Sequence, residues 1–349
     1  MKRTMLILLL SILGVSCTRQ EMPGGTLRIV FETGAFQTKT DPTPAEGDAI
    51  SITAEVPDLV ILIARNSTGG IVATYPDGPV IDGALEGAPA ATETSVSFSG
   101  LTGGETYTVY AFANTQGLWT MKNGETPVPD LTTIETAAAV EALQFRPTED
   151  DGDAGNGAED LDANGHLLRK GNRLPLSAKG ETTLTNAGNG EISLALKRCV
   201  AKVTAVFENQ YGEDLTLTTF SNTFYHMNPA TSYVVPHAED FPVEQEDADD
   251  GDISVTIPSL EIETDQTYSS SWYVFPSNGP YTCDVSFTMA DTPHNYPGLQ
   301  VTDDHARDIT QLARNQHLTI TTRIGKGKQV SFSFEVSDWK PKTEKVTFN

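Results

Sequence analysis

The sequence predicts an all-β protein made of two β-sandwiches in series. Many short segments alternate apolar and polar residues with a period of two, which is typical of strands that bury one face. Stretches rich in Gly, Pro, Ser and Thr separate these segments, as turns do in sandwiches. The length of 349 residues gives room for two sandwiches of about seven strands each.

Residues 1–17 are predicted to be a lipoprotein signal peptide. Lys2 and Arg3 precede an apolar run, Met5 to Leu13, that is too short to span a bilayer. The residues Gly-Val-Ser then come directly before Cys17, as small residues do at the acylation site of bacterial lipoproteins. We therefore expect lipidation at Cys17 and a membrane anchor. An ordinary secretory leader that is cleaved nearby is the alternative.

The first sandwich is assigned to residues 24–165. Its opening strand, Gly24 to Glu32, places Leu27, Ile29 and Phe31 on one face, which we expect to be buried. Further strands are expected at 50–56, 58–64, 71–75, 95–98 and 107–113. The continuous apolar run at 60–63 predicts a strand that is buried on both faces.

One helix is predicted in this half, at 137–143, with Thr132 and Glu135 as a capping-box pair ahead of it. Residues 149–165 carry seven carboxylates and almost nothing apolar, so they cannot form a core. They are predicted to be a loop at the boundary between the two sandwiches.

The second sandwich is assigned to residues 173–349, with strands expected at 191–196, 201–208, 215–220, 253–257, 271–275, 281–289, 317–324 and 330–336. A Gly-Lys-Gly-Lys turn joins the last two strands and predicts a hairpin. Val330, Phe332 and Phe334 share one face of its second strand, and Val346 and Phe348 alternate in the same way near the end of the chain. An alternating strand without a partner is an exposed sheet edge, so we expect another copy of the protein to pair with this tail.

The net charge of −24 comes from 23 Lys and Arg against 47 Asp and Glu. So acidic a surface repels nucleic acid and anionic membrane, and neither is expected as a partner. Residues 160–165, Asp-Leu-Asp-Ala-Asn-Gly, copy the first half of an EF-hand loop, but Gly171 stands where the bidentate Glu should be. We therefore predict a solvated acidic loop there and no metal site.

No catalytic residue and no cofactor is predicted, so an enzyme is not expected. The chain has no P-loop, no Rossmann glycine pattern and no Gly-x-Ser-x-Gly, and its six histidines lack metal-ligand spacing. A surface glycan-binding lipoprotein is one alternative, because Trp119 lies in a loop-like context where it could stack on a sugar ring. Cys199 and Cys283 lie in apolar runs, which leaves both a disulfide and two buried thiols open.

Several segments together resemble the fimbrillins, the subunits of the lipoprotein-derived (type V) pili of Bacteroidales. Besides Cys17 after its leader, these segments are Gly104–Thr115, Leu196–Val203, Trp272–Pro276, Arg314–His317 and Val336–Trp339. Each is weak alone, but they occur in order along nearly the whole chain. The resemblance implies two transthyretin-like, Greek-key sandwich domains and a cell-surface fimbrium that serves adhesion and biofilm formation. The implied partners are the outer membrane before assembly and, in the fibre, other copies and other fimbrial subunits.

The resemblance also implies how subunits join: proteolysis removes the first strand, and a strand of the neighbour fills the groove. The implied exchange residues are Leu27, Ile29, Phe31, Val330, Phe332, Phe334, Val346 and Phe348. Polymerising fimbrillins are cut after an arginine in the loop that follows the first strand, whereas residues 34–48 here contain no arginine. Lys39, the only basic residue of that loop, is the candidate cleavage site. An uncut subunit that anchors the fibre to the membrane is the alternative.

Overall fold

The computed structural model describes residues 24–31, 59–76, 90–91, 95–113, 119–123, 126–128, 130–147, 175–225, 227, 232–236 and 252–338. Regular structure within these residues is almost entirely β, which confirms the predicted all-β class. The helical elements described are α1 (Ala137–Glu141) and two short 3-10 turns, Leu131–Thr133 and Lys326–Lys328.

The strands of the N-terminal half are β1 (Gly25–Phe31), β2 (Val60–Arg65), β3 (Ile71–Tyr75), β4 (Ala90–Ala91), β5 (Ser95–Leu101), β6 (Thr106–Ala113), β7 (Trp119–Asn123), β8 (Thr126–Pro127), β9 (Leu143–Pro147), β10 (Leu176–Thr183), β11 (Asn189–Leu194) and β12 (Lys197–Arg198). The strands of the C-terminal half are β13 (Ala201–Gln210), β14 (Leu215–Tyr225), β15 (Ser232–Tyr233), β16 (Ile253–Ile262), β17 (Thr267–Val274), β18 (Ser277–Asn278), β19 (Thr282–Met289), β20 (Thr292–Gln300), β21 (Gln311–Leu312), β22 (Gln316–Gly325) and β23 (Val330–Asp338).

The N-terminal sandwich consists of two sheets with the orders β11-β1-β5-β4 and β12-β10-β6-β2-β3. Their inner faces share one hydrophobic core, to which the first sheet contributes Leu27 and Phe98 and the second contributes Ile61 and Val109. A side sheet, β15-β9-β7-β8, combines β7, β8 and β9, which lie between β6 and β10 in the chain, with β15 from the C-terminal half.

The strand β2 is buried on both faces, as its run of apolar residues predicts. Ile61 and Ile63 belong to the core of the N-terminal sandwich. Leu62 and Ala64, on the opposite face, belong to a second buried group that we name the junction cluster. The junction cluster comprises Leu62, Ala64, Ile71, Tyr110, Phe112, Leu131, Ile134, Val140, Leu143, Cys199, Val200, Val234, Val235 and Phe275.

The predicted boundary at 165–173 is wrong, because β10 and β11 belong to the N-terminal sandwich. Strand β10 pairs with β6 along its whole length, and β11 runs parallel to β1. The acidic composition of 149–165 indicated a loop, but composition carries no information about which strands pair across it. The crossing to the C-terminal half therefore comes later, near residues 198–200. Whether the halves are independent domains stays a prediction.

The C-terminal sandwich consists of the sheets β17-β13-β22-β23 and β16-β14-β19-β20, with a small sheet β18-β21 beside them. Phe207 and Ile320 from the first sheet meet Phe220 and Phe287 from the second in one core. The predicted hairpin is confirmed, since β22 and β23 pair antiparallel. Gln316 lies opposite Asp338 at one end of the ladder, and Ile324 lies opposite Val330 at the other.

Strand β20 was missed because Pro293 and Pro297 interrupt its sequence. Among the described strands it pairs only with β19, and it forms the edge of that sheet, where missing N–H groups break no ladder. Proline here also hinders an added strand at that edge.

The predicted helix is present, but its predicted cap is wrong. Thr136 caps α1 by accepting a hydrogen bond from the backbone N–H of Ala139 at 3.2 Å. Thr132 lies instead in the preceding 3-10 turn, where Asp130 accepts its backbone N–H. Trp119, predicted in a loop, opens strand β7.

Cys199 and Cys283, the cysteines of the described chain, are both buried and form no disulfide with each other. Cys199 lies in the junction cluster and Cys283 in the core of the C-terminal sandwich. Burial raises the pKa of the Cys283 thiol to about 12, which keeps it protonated and unreactive at neutral pH.

Asn222 is a polar residue buried on the core-facing side of β14 in the C-terminal sandwich. It is 1% exposed, and among the described residues neither polar atom of its side-chain amide has a hydrogen-bond partner. Asn222→Val should raise the free energy of unfolding by about 1–2 kcal/mol, because it removes an unsatisfied buried amide. Denaturant unfolding measures this, with the exposed Thr216→Val on the same strand as a control that should change stability by less than about 0.5 kcal/mol. A less stable Asn222→Val protein would contradict this account.

His317 makes the stability of the C-terminal sandwich depend on pH. Burial, with the positive charge of Lys202 as a second cause, lowers its pKa to about 4. In the unfolded chain a histidine titrates near pH 6.5, so between these values the unfolded state binds a proton that the folded state excludes. This stability is therefore complete above about pH 6.5 and declines as the pH falls toward 4.

His317→Gln should flatten that decline. From pH 6.5 to pH 5, the free energy of unfolding of the native protein should fall relative to that of the variant. Urea unfolding measures both values, in a pH range above that in which most carboxylates titrate. The variant keeps a polar group for Thr204, whose hydroxyl lies 2.8 Å from Nε2 of His317. Parallel pH profiles for the two proteins would show that His317 does not titrate in this way.

Candidate strand-exchange site

Strand β1 lies in the interior of its sheet, bonded on both edges. It runs antiparallel to β5 from Gly25 to Val30 and parallel to β11 from Thr26 to Phe31. Because both ladders are complete, β1 presents no free backbone edge. Its removal would leave β5 and β11 two strand spacings apart, with a slot of the width of one strand between them.

The side chains of β1 confirm the predicted buried face. Leu27 and Ile29 are 0% exposed and Phe31 is 3% exposed, while Arg28 on the other face is exposed. Each fully buried side chain of this size contributes roughly 1.5–3 kcal/mol, so these three together stabilise the position of β1 by several kcal/mol. Any strand that took the position of β1 would have to present apolar side chains at alternate positions.

The start of β1 is fitted closely to its neighbours. A Cβ added to Gly25 would lie 2.1 Å from the carbonyl oxygen of Gly188, and one added to Gly24 would lie 2.6 Å from Cα of Gly100. The backbone N–H of Thr26 donates to that same oxygen of Gly188 at 2.7 Å. Glycine is required at this point because two backbones approach within the reach of a side chain.

The exposed face of β1 has one ion pair. Nη1 of Arg28 lies 3.0 Å from Oε2 of Glu191 on β11, and the two side chains are 50% and 57% exposed. An ion pair this exposed contributes little to stability. The hold on β1 therefore comes from its apolar face and its backbone ladders.

Strand β23 is the second part of the predicted site, and it is already paired within the chain. Val330, Phe332 and Phe334 are half-buried against the core of their own sandwich, and the ring of Phe332 lies 5.2 Å from that of Tyr296. The opposite edge of β23 bonds to no strand among the described residues. The structure therefore does not bring β1 and β23 together in one sheet. Cys17, Lys39, Val346 and Phe348 lie outside the described residues.

One group of potential metal ligands was missed by the sequence analysis: Asp303, Asp304 and His305, in an exposed turn. The carboxylate of Asp303 already accepts the backbone N–H groups of His305 (2.9 Å) and Arg307 (3.0 Å) and the Nε–H of Arg307 (2.7 Å). These bonds, the one to the Arg307 side chain first, lower the pKa of Asp303 to about 2. They close the turn, so we assign this group a structural role. The EF-hand-like stretch lies outside the described residues.

Within the described part of the chain, no helix has both the length and the apolar character needed to span a membrane.

The interior strand β1 and the two sandwiches define an all-β sandwich fold, and comparisons with solved structures support that fold. A candidate cell-adhesion protein of Parabacteroides distasonis matches with a TM-score of 0.53 and 12% identity, covering 93% of this chain and 99% of the other. One of Bacteroides eggerthii matches with a TM-score of 0.51 and 13% identity, covering 91% and 96%. The fimbrilin FimA of Porphyromonas gingivalis matches with a TM-score of 0.50 and 14% identity, covering 91% and 98%. At these identities the likeness concerns the fold alone.

The chain belongs to the Mfa2 family, described as fimbrillin-A associated anchor proteins Mfa1 and Mfa2. The family match covers residues 97–345, more than half of the chain, and begins after β1. The fimbrillin resemblance is thereby confirmed, and the family associates the chain with a cell-surface fimbria and its other subunits. Its family and structural relatives are fimbrial and adhesion proteins, in agreement with a non-enzymatic role. No curated protein matches the chain.

Proposed function

We propose that this chain is a structural subunit of a cell-surface fimbria that supports adhesion and biofilm formation. It is exported as a lipoprotein through Cys17 and joined to its neighbour by strand exchange. The observation that carries the proposal is the interior position of β1 with three alternate side chains buried. A strand of this kind fills a slot that another extended segment can fill with the same backbone bonds.

The donor in this proposal is the segment after β23. Val330, Phe332 and Phe334 already pack on their own core, so they are better suited to hold the base of a donor than to leave it. Val346 and Phe348 alternate in the sequence beyond the end of β23, and in this proposal they are the side chains that enter a neighbour's slot. A contact between a donor at one end of the chain and a slot at the other does not close on itself, so it generates a filament.

Exchange of this kind requires that β1 first be released. β1 is tethered to the chain that forms its slot, so it competes at a high effective concentration against any donor from another molecule. The donor also offers two apolar side chains where β1 offers three. We therefore propose a cut between β1 and β2, with Lys39 as the site.

A second candidate function is a membrane anchor that keeps β1. Two observations favour it: residues 34–48 lack the arginine at which polymerising fimbrillins are cut, and the family is described as one of anchor proteins. A subunit that keeps β1 could still donate a strand but could not accept one. Such a subunit would therefore end a fibre at the membrane.

N-terminal sequencing of this protein from sheared fibres distinguishes the two functions. For a subunit that accepts a strand, the N-terminal residue of the mature protein is expected to lie between β1 and β2. Cleavage at Lys39 places it at the residue that follows Lys39. A start at Cys17 would reject maturation in the loop and assign the anchor function. Mass spectrometry of the same N-terminal peptide reports whether Cys17 is acylated.

A further inference from the structure

The buried side chain of Arg314 is a polar centre that the proposed function does not use. Arg314 precedes β22 and is 6% exposed. Its Nη1–H groups donate to Oγ of Ser177 at 3.1 Å and to the carbonyl oxygen of Val234 at 3.3 Å, and Nη2 donates to the carbonyl oxygen of Tyr233 at 2.9 Å. Burying a guanidinium is costly unless its N–H groups are bonded, so this set of acceptors is a built site for it.

The acceptors come from parts of the chain that belong to different sheets. Ser177 lies on β10 of the N-terminal sandwich, 137 residues before Arg314. Tyr233 lies on β15 of the side sheet, and Val234 follows it. Ser177 also donates to the carbonyl oxygen of Val234 at 2.6 Å, so the three segments share one hydrogen-bond network.

A second set of bonds ties down the crossing between the sandwiches. The backbone N–H of Asn315 donates to the carbonyl oxygen of Val200 at 2.9 Å, and Nη1 of Arg198 donates to Oδ1 of Asn315 at 2.8 Å. Asn315 takes a left-handed backbone conformation, with φ of 61°, which asparagine tolerates better than most residues. Arg198 and Val200, which lie where the chain passes from one sandwich to the other, are therefore hydrogen-bonded to Asn315, the residue after Arg314.

The apolar junction cluster lies around the same network, since it includes Cys199, Val200 and Val234. Apolar burial holds surfaces together but is non-directional, so it defines their relative position only loosely. The N–H groups of a planar guanidinium have fixed directions, so they form good hydrogen bonds only with acceptors in a narrow range of positions. The junction cluster therefore stabilises the association of the two sandwiches, and the Arg314 hydrogen bonds define their relative position.

We propose that Arg314 is a positioning residue that locks the C-terminal sandwich to the N-terminal sandwich through Ser177 and the 233–235 segment. Without it, both sandwiches remain folded and the junction opens locally. If the proposed function holds, tension in a fibre passes from the β1 slot to the C-terminal tail through this junction. That consequence rests on the proposed function, whereas the coupling itself does not.

Hydrogen exchange of the native protein, followed by mass spectrometry, tests the coupling. In Arg314→Met the backbone amides of Cys199, Val234 and Asn315 should exchange about a hundredfold faster, because several bonds to a charged donor are lost. Amides of the core strands β5 and β22 should be unchanged. Arg314→Lys, which keeps the charge but not the fork, should give a smaller local increase of about tenfold.

The matched control is Arg323→Met, which removes an arginine of β22 that bonds Glu208 and Ser333 on the sheet surface. It should leave exchange at the junction unchanged. The proposal is overturned if Arg314→Met leaves junction exchange as in the native protein, or raises exchange equally throughout the chain. If Arg314→Met does not fold, Ser177→Ala carries the test: a local increase supports the coupling and native exchange overturns it.

A second measurement separates the coupling from its role in a fibre. Fibres that contain Arg314→Lys should bend more strongly in electron micrographs than native fibres. If the variant monomer shows faster hydrogen exchange at the junction but its fibres are as stiff as native fibres, the coupling by Arg314 is supported. The idea that tension in a fibre passes through this junction is then rejected. If the protein forms no fibres, the proposed function fails and the exchange experiment still decides the coupling.

Discussion

Ile29→Ala is expected to weaken the monomer and, in the same protein, to make it a better acceptor. Ile29 is 0% exposed in the middle of β1, so truncation should lower the free energy of unfolding by about 2–5 kcal/mol. The lost contacts are those that hold β1 in its slot. The state in which β1 has left the slot therefore becomes more populated, by a factor of ten for about every 1.4 kcal/mol.

The acceptor half of this prediction is measured with a fluorescent peptide of residues 339–349. Its association with Ile29→Ala should be at least about tenfold faster than with the native protein, because a slot must open before a donor can enter. Urea unfolding of the same preparations gives the loss of stability.

Arg28→Ala is the matched control for Ile29→Ala. Arg28 is the neighbouring residue on the exposed face of β1, and its ion pair with Glu191 is half-exposed. Its loss should cost less than about 1 kcal/mol and should not accelerate peptide uptake. A destabilised Ile29→Ala protein that takes up the peptide no faster than native would refute the slot at β1 while leaving the fold intact.

Removal of residues Lys345–Asn349 is expected to abolish high-mass ladders on gels run in mild SDS, with little change in monomer stability. The truncation begins beyond β23, which ends at Asp338 and completes its pairing with β22 without it. Polymer should therefore be lost because the donor lacks Val346 and Phe348, and not because the sandwich is damaged.

The face of the donor strand provides a sharper version of the same test. Phe348→Asp places a charge where an apolar side chain must enter the slot, and it should remove the ladders as the truncation does. Thr347→Asp changes the neighbouring residue, which lies on the other face of an extended strand, and should keep them. Ladders that persist after truncation would assign the donor to another part of the chain.

Local patterns of apolar residues, alternating or continuous, were sufficient to predict several individual strands. The buried face of β1, the doubly buried β2 and the hairpin of β22 and β23 all follow from apolar residues within one short segment, and all are confirmed. Strand β20 was missed because its prolines break the local pattern, and only its position at a sheet edge makes them tolerable.

The sequence alone determined the all-β class, the apolar face of β1 and the fimbrillin resemblance, because each depends on residues close together in the chain or on a pattern in their order. Only the tertiary structure decided that β10 and β11 complete the N-terminal sandwich and that β1 is an interior strand. It also decided that Cys199 and Cys283 form no disulfide with each other and that the Arg314 side chain donates a hydrogen bond to Ser177. Strand pairing and buried hydrogen bonds join residues far apart in sequence, so they depend on how the whole chain packs and leave no local pattern to read.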